Sequence, residues 1–240
     1  MLLVEDLMLL LLDDESGEMA AITTLHYALG GAVLVELALA HRVQIDPPAG
    51  FWKTETVHVV PESEGEEPAP SDSVLADPIL RDAYQLVAAK PRYLQDMLAR
   101  IGANLHRTVT DRLVERGLVH KTSKRFLGIF RTTAWPAEDV QYEQALRAEI
   151  SRALTSREAP SPRVAALIAL LMASQQLRLL QIPEGLTAQD VRDRATELSK
   201  GNWGAQTVSD AVTQAHAAII AGTTAAVSGA VAAVMVSTTS

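Results

Sequence analysis

The sequence predicts a mainly α fold: a single globular helical domain with buried central helices and small antiparallel β-hairpins. Three observations carry this. Hydrophobic residues make up 48% of the chain but aromatics only 4%. The core must therefore be built from Leu, Ala and Val, and Ala and Leu are among the strongest helix formers. Apolar residues recur at helical spacing along most of the 240 residues. Strand-like alternation is confined to short zones near 43–60 and 118–131.

Residues 2–12, LLVEDLMLLLL, run into the acidic turn Asp13-Asp14-Glu15-Ser16-Gly17. An apolar run of this length fits a buried helix or a helix-to-strand transition, and periodicity leaves both open. Leu25–Arg42 predicts a second helix, apolar through Ala32–Ala40, with Gly30 and Gly31 allowing another backbone to approach closely. Glu36 lies inside that apolar run, so it needs a partner such as an arginine or a backbone donor. Val43–Asp46 alternates as a short strand stopped by Pro47-Pro48, and Thr54–Val60 alternates again, so the two runs pair as a hairpin. Residues 61–73, acidic and rich in Pro, Ser and Gly, form a solvated loop. Ser73 or Asp77 caps a helix running to Ala89, and Pro91 opens the next, RYLQDMLARIG.

The stretch Arg100–Pro136 stands out. Ile101, Leu105, Val109, Leu113 and Val114 describe one face of an amphipathic helix, and Gly117 follows where a left-handed cap is wanted. Leu118-Val119 and Phe126–Phe130 are β-prone runs on either side of a polar turn at Thr122-Ser123, which predicts a hairpin. Lys121, Lys124, Arg125 and Arg131 sit beside Phe126, Leu127, Ile129 and Phe130. Basic and apolar residues together suit contact with an anionic surface. The same residues also suit an ordinary structural hairpin with solvated cations.

Ala137–Leu154 predicts an amphipathic helix, 155–162 a loop, and Pro162 the start of a helix apolar over nearly its whole circumference from Val164 to Ala173. Thr187 or Asp190 starts another helix through Leu198, and a last one begins near Val208. No charged residue occurs from Ala217 to Val236. That length could span a bilayer, but its Ala, Gly, Thr and Val content favours a core helix with a small-residue tail. On that reading Ile219 and Ile220 bury against Val164–Ala173.

Net charge is −8 with no cysteine. The acidity argues against a dedicated nucleic-acid binder, and the lack of cysteine excludes disulfides, thiol nucleophiles and zinc–thiolate sites. The apolar N-terminus is interrupted by Glu5 and Asp6 and has no basic leader, so it does not read as a signal peptide. No phosphate loop, dinucleotide fingerprint or hydrolase motif appears, and the six histidines form no pair at metal-ligand helical spacing. No catalytic residue, cofactor or metal is expected.

The run LLVEDLMLLLLDDESG at 2–17 resembles the opening of the Golgi phosphoprotein 3 family. The likeness continues in LGGAVLVELALAHR at 29–42, DSVLADPIL at 72–80, RLVERGLV at 112–119, TTAWP at 132–136 and RVAALIALLMAS at 163–174, in order and with similar spacing. It implies one mostly helical domain over 1–222, with 223–240 a small-residue extension. It also implies a non-enzymatic peripheral membrane protein that binds phosphatidylinositol 4-phosphate, with membrane-protein tails as clients in eukaryotic members. The Ala-rich, Cys-free composition looks more like a bacterial member.

The family's headgroup pocket uses a tryptophan and an arginine early in the chain and two arginines on the helix before the hairpin. The equivalent positions here are Ala21 or Ile22, Gly30, Ala103 and His106, with Arg107 adjacent. Its apolar insertion tip falls on Phe126, Leu127, Ile129 and Phe130. The expectation is a cytoplasmic, peripherally membrane-associated protein whose 121–131 hairpin contacts anionic lipid. The alternatives are a winged-helix-like nucleic-acid binder, with Arg107 and Arg112 set against Asp111 and Glu115 on its helix, or a module that self-associates through the hairpin.

Overall fold

The computed structural model describes residues 1–12, 25–49, 54–60, 74–90, 92–120, 122–126, 130–134, 140–180, 182–183, 185–199 and 220; at 47–49, 54–55, 122–126, 130–134 and 140 it describes backbone alone. Eight α-helices and five short strands are described. They are α1 (Leu3–Leu11), α2 (Leu25–Leu39), β1 (Val43–Ala49), β2 (Thr54–Val59), α3 (Pro78–Ala89), β3 (Arg92–Tyr93), α4 (Leu94–Gly102), α5 (Leu105–Glu115), β4 (Thr122–Phe126), β5 (Phe130–Ala134), α6 (Val140–Thr155), α7 (Pro162–Ala173) and α8 (Ala188–Ser199). The fold is mainly α, as its composition dictates.

The core gathers on α1, α2 and α7. Every residue of α1 is buried, and the helix ends as Leu12 enters an isolated bridge, so both readings of the N-terminal run hold in part. A fully buried leucine contributes on the order of 2 kcal/mol, which explains how so short a helix holds its place. On α7, Val164–Leu171 and Ala173 are buried, and Ser161 caps it by accepting from Val164 N–H at 3.3 Å.

α2 and α4 cross antiparallel with their backbones nearly touching. A Cβ on Gly30 would lie 2.2 Å from the Leu98 carbonyl oxygen, and one on Gly102 would lie 1.7 Å from that of His26. Each helix therefore offers a glycine to a carbonyl of the other. The first of these contacts was legible in the glycine pair; Gly102 was not singled out.

β1, β2 and β3 form an antiparallel sheet in that order, with the β1–β2 register shifting between Asp46 and Ala49. β1 thus runs through Pro47-Pro48 rather than stopping there. A proline cannot donate to the ladder, and a register break at a sheet edge accommodates it. Residues 92–93, expected in the following helix, form β3 instead. Asp77 caps α3 by accepting from Ile79 N–H at 2.9 Å.

Three expectations need correcting. The helix expected through Ile101 and Leu105 is two helices, because Gly102 ends α4 and Asn104 sits at φ 65° before α5. Asparagine tolerates that left-handed conformation better than most residues. The second hairpin is displaced along the chain: its strands are 122–126 and 130–134. Leu118 and Val119 are instead buried in the core, and the β-prone Thr132 and Thr133 lie in the second strand. Ile220 is 44% exposed rather than buried. Ile219, the solvated loop at 61–73, the helix start near Val208 and the extension at 223–240 lie outside the described residues.

Candidate functional site

The basic hairpin leaves the helical body between α5 and α6. At its entry, Gly117 adopts φ 70°. Gly117 N–H donates to the Val114 carbonyl and Leu118 N–H to that of Leu113, each at 3.0 Å. This glycine-capped helix end turns the chain back on itself. Leu118 and Val119 then bury, at 8% and 1% exposure, so the chain is anchored in the core just before β4.

β4 and β5 pair without a register break: Thr122 opposite Ala134, Ser123 opposite Thr133, Lys124 opposite Thr132, Arg125 opposite Arg131 and Phe126 opposite Phe130. Positions alternate between the two faces of a ribbon. The two arginine positions therefore share one face, while Lys124, Phe126 and Phe130 fall on the other. Phe126 and Phe130 end their strands as the pair farthest from the Thr122–Ala134 end of the ladder.

Both feet of the hairpin are tied to two adjacent carboxylates in α1. On the entry side, Arg112 Nε lies 3.0 Å and Arg116 Nη2 3.4 Å from Glu5 Oε1. These are charge contacts rather than directed hydrogen bonds, since Oε1 receives none. Glu5 Oε2 accepts from Leu2 N–H at 2.7 Å. Arg112 also grips Asp77 through Nη1 at 2.9 Å and Nη2 at 2.6 Å, the bidentate geometry that favours arginine over lysine. Burial acts to raise the Asp77 pKa, but the Arg112 hydrogen bonds and the Ile79 N–H outweigh it and hold the carboxyl below its usual range.

On the exit side, Tyr142 of α6 donates its hydroxyl to Asp6 Oδ1 at 2.7 Å. Burial, together with the Asp6 carboxylate, pushes this phenol well above the ordinary tyrosine range. Asp6 Oδ2 accepts from Arg163 Nε at 3.0 Å and Nη2 at 2.6 Å. Arg163 Nη1 reaches Glu36 Oε1 at 3.0 Å, and Nη2 reaches the Met1 carbonyl at 2.8 Å. Leu3 N–H donates to the second Glu36 oxygen. Burial opposes the Arg163 charge, but Glu36 and Asp6 on either side hold the guanidinium protonated more firmly than usual. Glu36 thus has the arginine and backbone partners its position demanded.

Across this network four carboxylates, from Glu5, Asp6, Glu36 and Asp77, meet three guanidinium groups, from Arg112, Arg116 and Arg163. Glu5 and Asp6 are 0% exposed. Buried charges survive only when paired and hydrogen-bonded, and these are. The arrangement suits a rigid base. Among the described residues no cluster of His, Asp or Glu could hold a metal.

The sequence-chosen positions distribute as follows. Lys124, Arg125, Phe126, Phe130 and Arg131 lie on the paired strands, while Lys121, Leu127 and Ile129 lie outside the described residues. His106 and Arg107 are exposed in the first turn of α5. Gly30 is buried in α2 against the Leu98 backbone. Sequence reasoning did not single out Arg112, Arg116, Arg163, Tyr142 or Asp77 as partners in one network. The available signal was the pair of carboxylates inside an otherwise apolar helix, which demands cations from elsewhere.

Compared with known proteins, residues 3–215 match the Golgi phosphoprotein 3 (GPP34) family model. No curated protein matches the chain significantly. The match takes in all eight helices and both hairpins described above, and the chain belongs to the Golgi phosphoprotein 3 family.

Proposed function

We propose that this protein is a non-enzymatic, peripheral membrane-binding protein that contacts anionic lipid through the β4–β5 hairpin. The observation that supports it best is the register. Arg125 and Arg131 are paired along the ribbon, and Phe126 and Phe130 are paired at its distal end. Each basic residue near an anionic bilayer contributes on the order of 1 kcal/mol, fading within a Debye length. Aromatic residues at the end of such a ribbon add apolar contact with the acyl boundary that salt does not screen. A base braced by Glu5 and Asp6 would present this tip at a fixed angle to the domain.

Family membership makes phosphatidylinositol 4-phosphate the first headgroup to test. Gly30, at one of the family's pocket positions, offers no side chain and is occupied by helix packing. The hairpin charges therefore carry most of the attraction in this reading, and selectivity among anionic headgroups should be shallow.

Flotation with phosphatidylcholine vesicles containing phosphatidylserine or phosphatidylinositol 4-phosphate tests this. Lys124→Glu with Arg125→Glu should abolish capture while the circular dichroism stays unchanged. Phe126→Ala should weaken capture equally at low and high salt. Unaltered flotation of both folded variants would make the hairpin structural or a self-association surface.

A further inference from the structure

We propose that Arg116 binds a phosphate group of membrane phospholipid at the root of the hairpin. This rests on the membrane reading above but draws on the helical body rather than on the ribbon.

A guanidinium carries five N–H donors, and the three arginines of the network spend them differently. Arg112 holds Asp77 through both terminal nitrogens, and Arg163 divides its donors among Asp6, Glu36 and the Met1 carbonyl. For Arg116, Nη1 lies 3.3 Å from Met1 Sδ, a weak acceptor, and Nη2 lies 3.4 Å from Glu5 Oε1, which receives no hydrogen bond. Among the described residues, then, none of its donors hydrogen-bonds to an oxygen. Its side chain is also the most open of the three, 41% exposed against 20% for Arg112 and 33% for Arg163.

The fold asks little of this residue. Glu5 is already met by Arg112 Nε at 3.0 Å and by Leu2 N–H at 2.7 Å. An ion pair as open as Arg116–Glu5 contributes little to stability in water. What remains is a planar, permanently charged fork with its donors unspent, the group that matches two phosphate oxygens at once.

Its place favours a lipid phosphate over a free one. Arg116 ends α5 and directly precedes Gly117, where the chain turns toward β4, and Leu118 and Val119 fix that turn in the core. The β4–β5 ladder covers four residue steps from Thr122 to Phe126, a length of about 13 Å. The headgroup layer of one leaflet is about 5–8 Å deep. With the phenylalanines at the acyl boundary, the root of the ribbon stands just outside the headgroups, within reach of a long arginine side chain.

Partition of the full chain into phosphatidylcholine–phosphatidylserine vesicles at low salt tests this. Arg116→Gln should lower the partition coefficient about fivefold, one basic residue's share, and should melt like the parent. Arg116→Lys keeps the charge without the fork and should fall between them. Arg157→Gln removes an exposed charge beyond the far end of α6 and should partition like the parent. Inorganic phosphate at equal ionic strength should not raise the parent's melting temperature. A rise that Arg116→Gln abolishes would make this a site for free phosphate and overturns the lipid assignment. Arg116→Gln partitioning no worse than Arg157→Gln also overturns the proposal, as does lysine matching arginine in full. So does a melting temperature several degrees lower for Arg116→Gln, which would make Arg116 a strut of the network. A parent that stays off the vesicles ends the membrane reading and this proposal together, whereas the other outcomes strike Arg116 alone.

Discussion

Glu5 and Asp6 are consecutive and fully buried, yet they serve different helices: Glu5 faces Arg112 of α5 at 3.0 Å, and Asp6 faces Arg163 of α7 at 2.6 Å. A helix advances about 100° per residue, so neighbouring side chains point to different sides of its axis. One turn of α1 therefore ties together parts of the chain more than a hundred residues apart. The cost of desolvating two carboxylates falls on this turn, and the arginines offset it together with the Leu2 N–H on Glu5 and the Tyr142 hydroxyl on Asp6.

Removal of Arg163 should accordingly be severe. Arg163→Met keeps an apolar stem but leaves Asp6, Glu36 and the Met1 carbonyl without their cation. Breaking a buried pair on one side costs about 3–5 kcal/mol. Urea denaturation of the variant should show a loss in that range, and a loss under about 1 kcal/mol would mean that the pair behaves as a surface one.

The Arg112–Asp77 pair should give stability an acid limb. The folded Asp77 carboxyl lies below its ordinary range, whereas in the unfolded chain it titrates near about 3.9. Its contribution is therefore complete above the unfolded value and disappears as pH falls through the folded one. Asp77→Asn preserves the helix cap but not the charge. The variant should be less stable than the parent by about 1–3 kcal/mol at pH 7, and the gap should close below about pH 4. A gap independent of pH would assign the loss to hydrogen-bond geometry instead.

Two glycine substitutions should differ sharply. At Gly102 a new methyl group would meet the His26 carbonyl at 1.7 Å. Backbone cannot yield as a side chain can, so Gly102→Ala should cost about 3 kcal/mol or more. Gly117 has open space but φ 70°, so Gly117→Ala should cost only the left-handed strain, about 1–2 kcal/mol. Thermal melts of the two variants would order them.

The reverse change should stabilise the end of α7. Gln175 is exposed, sits at φ 59°, and donates its N–H to the Met172 carbonyl, while Gln176 N–H reaches that of Leu171. This is the glycine-cap pattern of Gly117 with the wrong residue in it. Gln175→Gly should gain about 1 kcal/mol and raise the melting temperature by about 2–4 °C. No gain would show that the glutamine side chain stabilises the cap in another way.

Much of the fold was legible because burial was written in local patterns. The apolar circumference of α7, the Asp77 cap and the turn at Gly117 each follow from a few neighbouring residues. Glu36 announced its need for a partner, though not that Arg163 would come from 127 positions away. The hairpin was found but misplaced: the run Phe126–Phe130 has strand composition, yet Phe126 ends one strand and Phe130 begins the next. β-propensity records side chains that suit a pleated surface and does not mark where a ribbon reverses. The break between α4 and α5 was hidden for a similar reason: Ile101 and Leu105 keep helical spacing across it, and only Asn104 in the left-handed region separates them.

The seam between α2 and α4 bears on how mutational data from this protein should be interpreted. Gly30 and Gly102 each receive a carbonyl of the opposite helix, four residues from the carbonyl that their own helix gives in return. Sliding or rolling one helix would bring a residue with a side chain onto a peptide group, so the pair can move only as a single piece. In a saturation screen both glycines would then reject nearly every replacement, although neither touches a ligand. On the equivalence that the family resemblance implies, Gly30 would also stand at a headgroup-pocket position, where such intolerance would imitate the signature of a binding residue. Lipid capture measured only on variants that melt like the parent would separate the two.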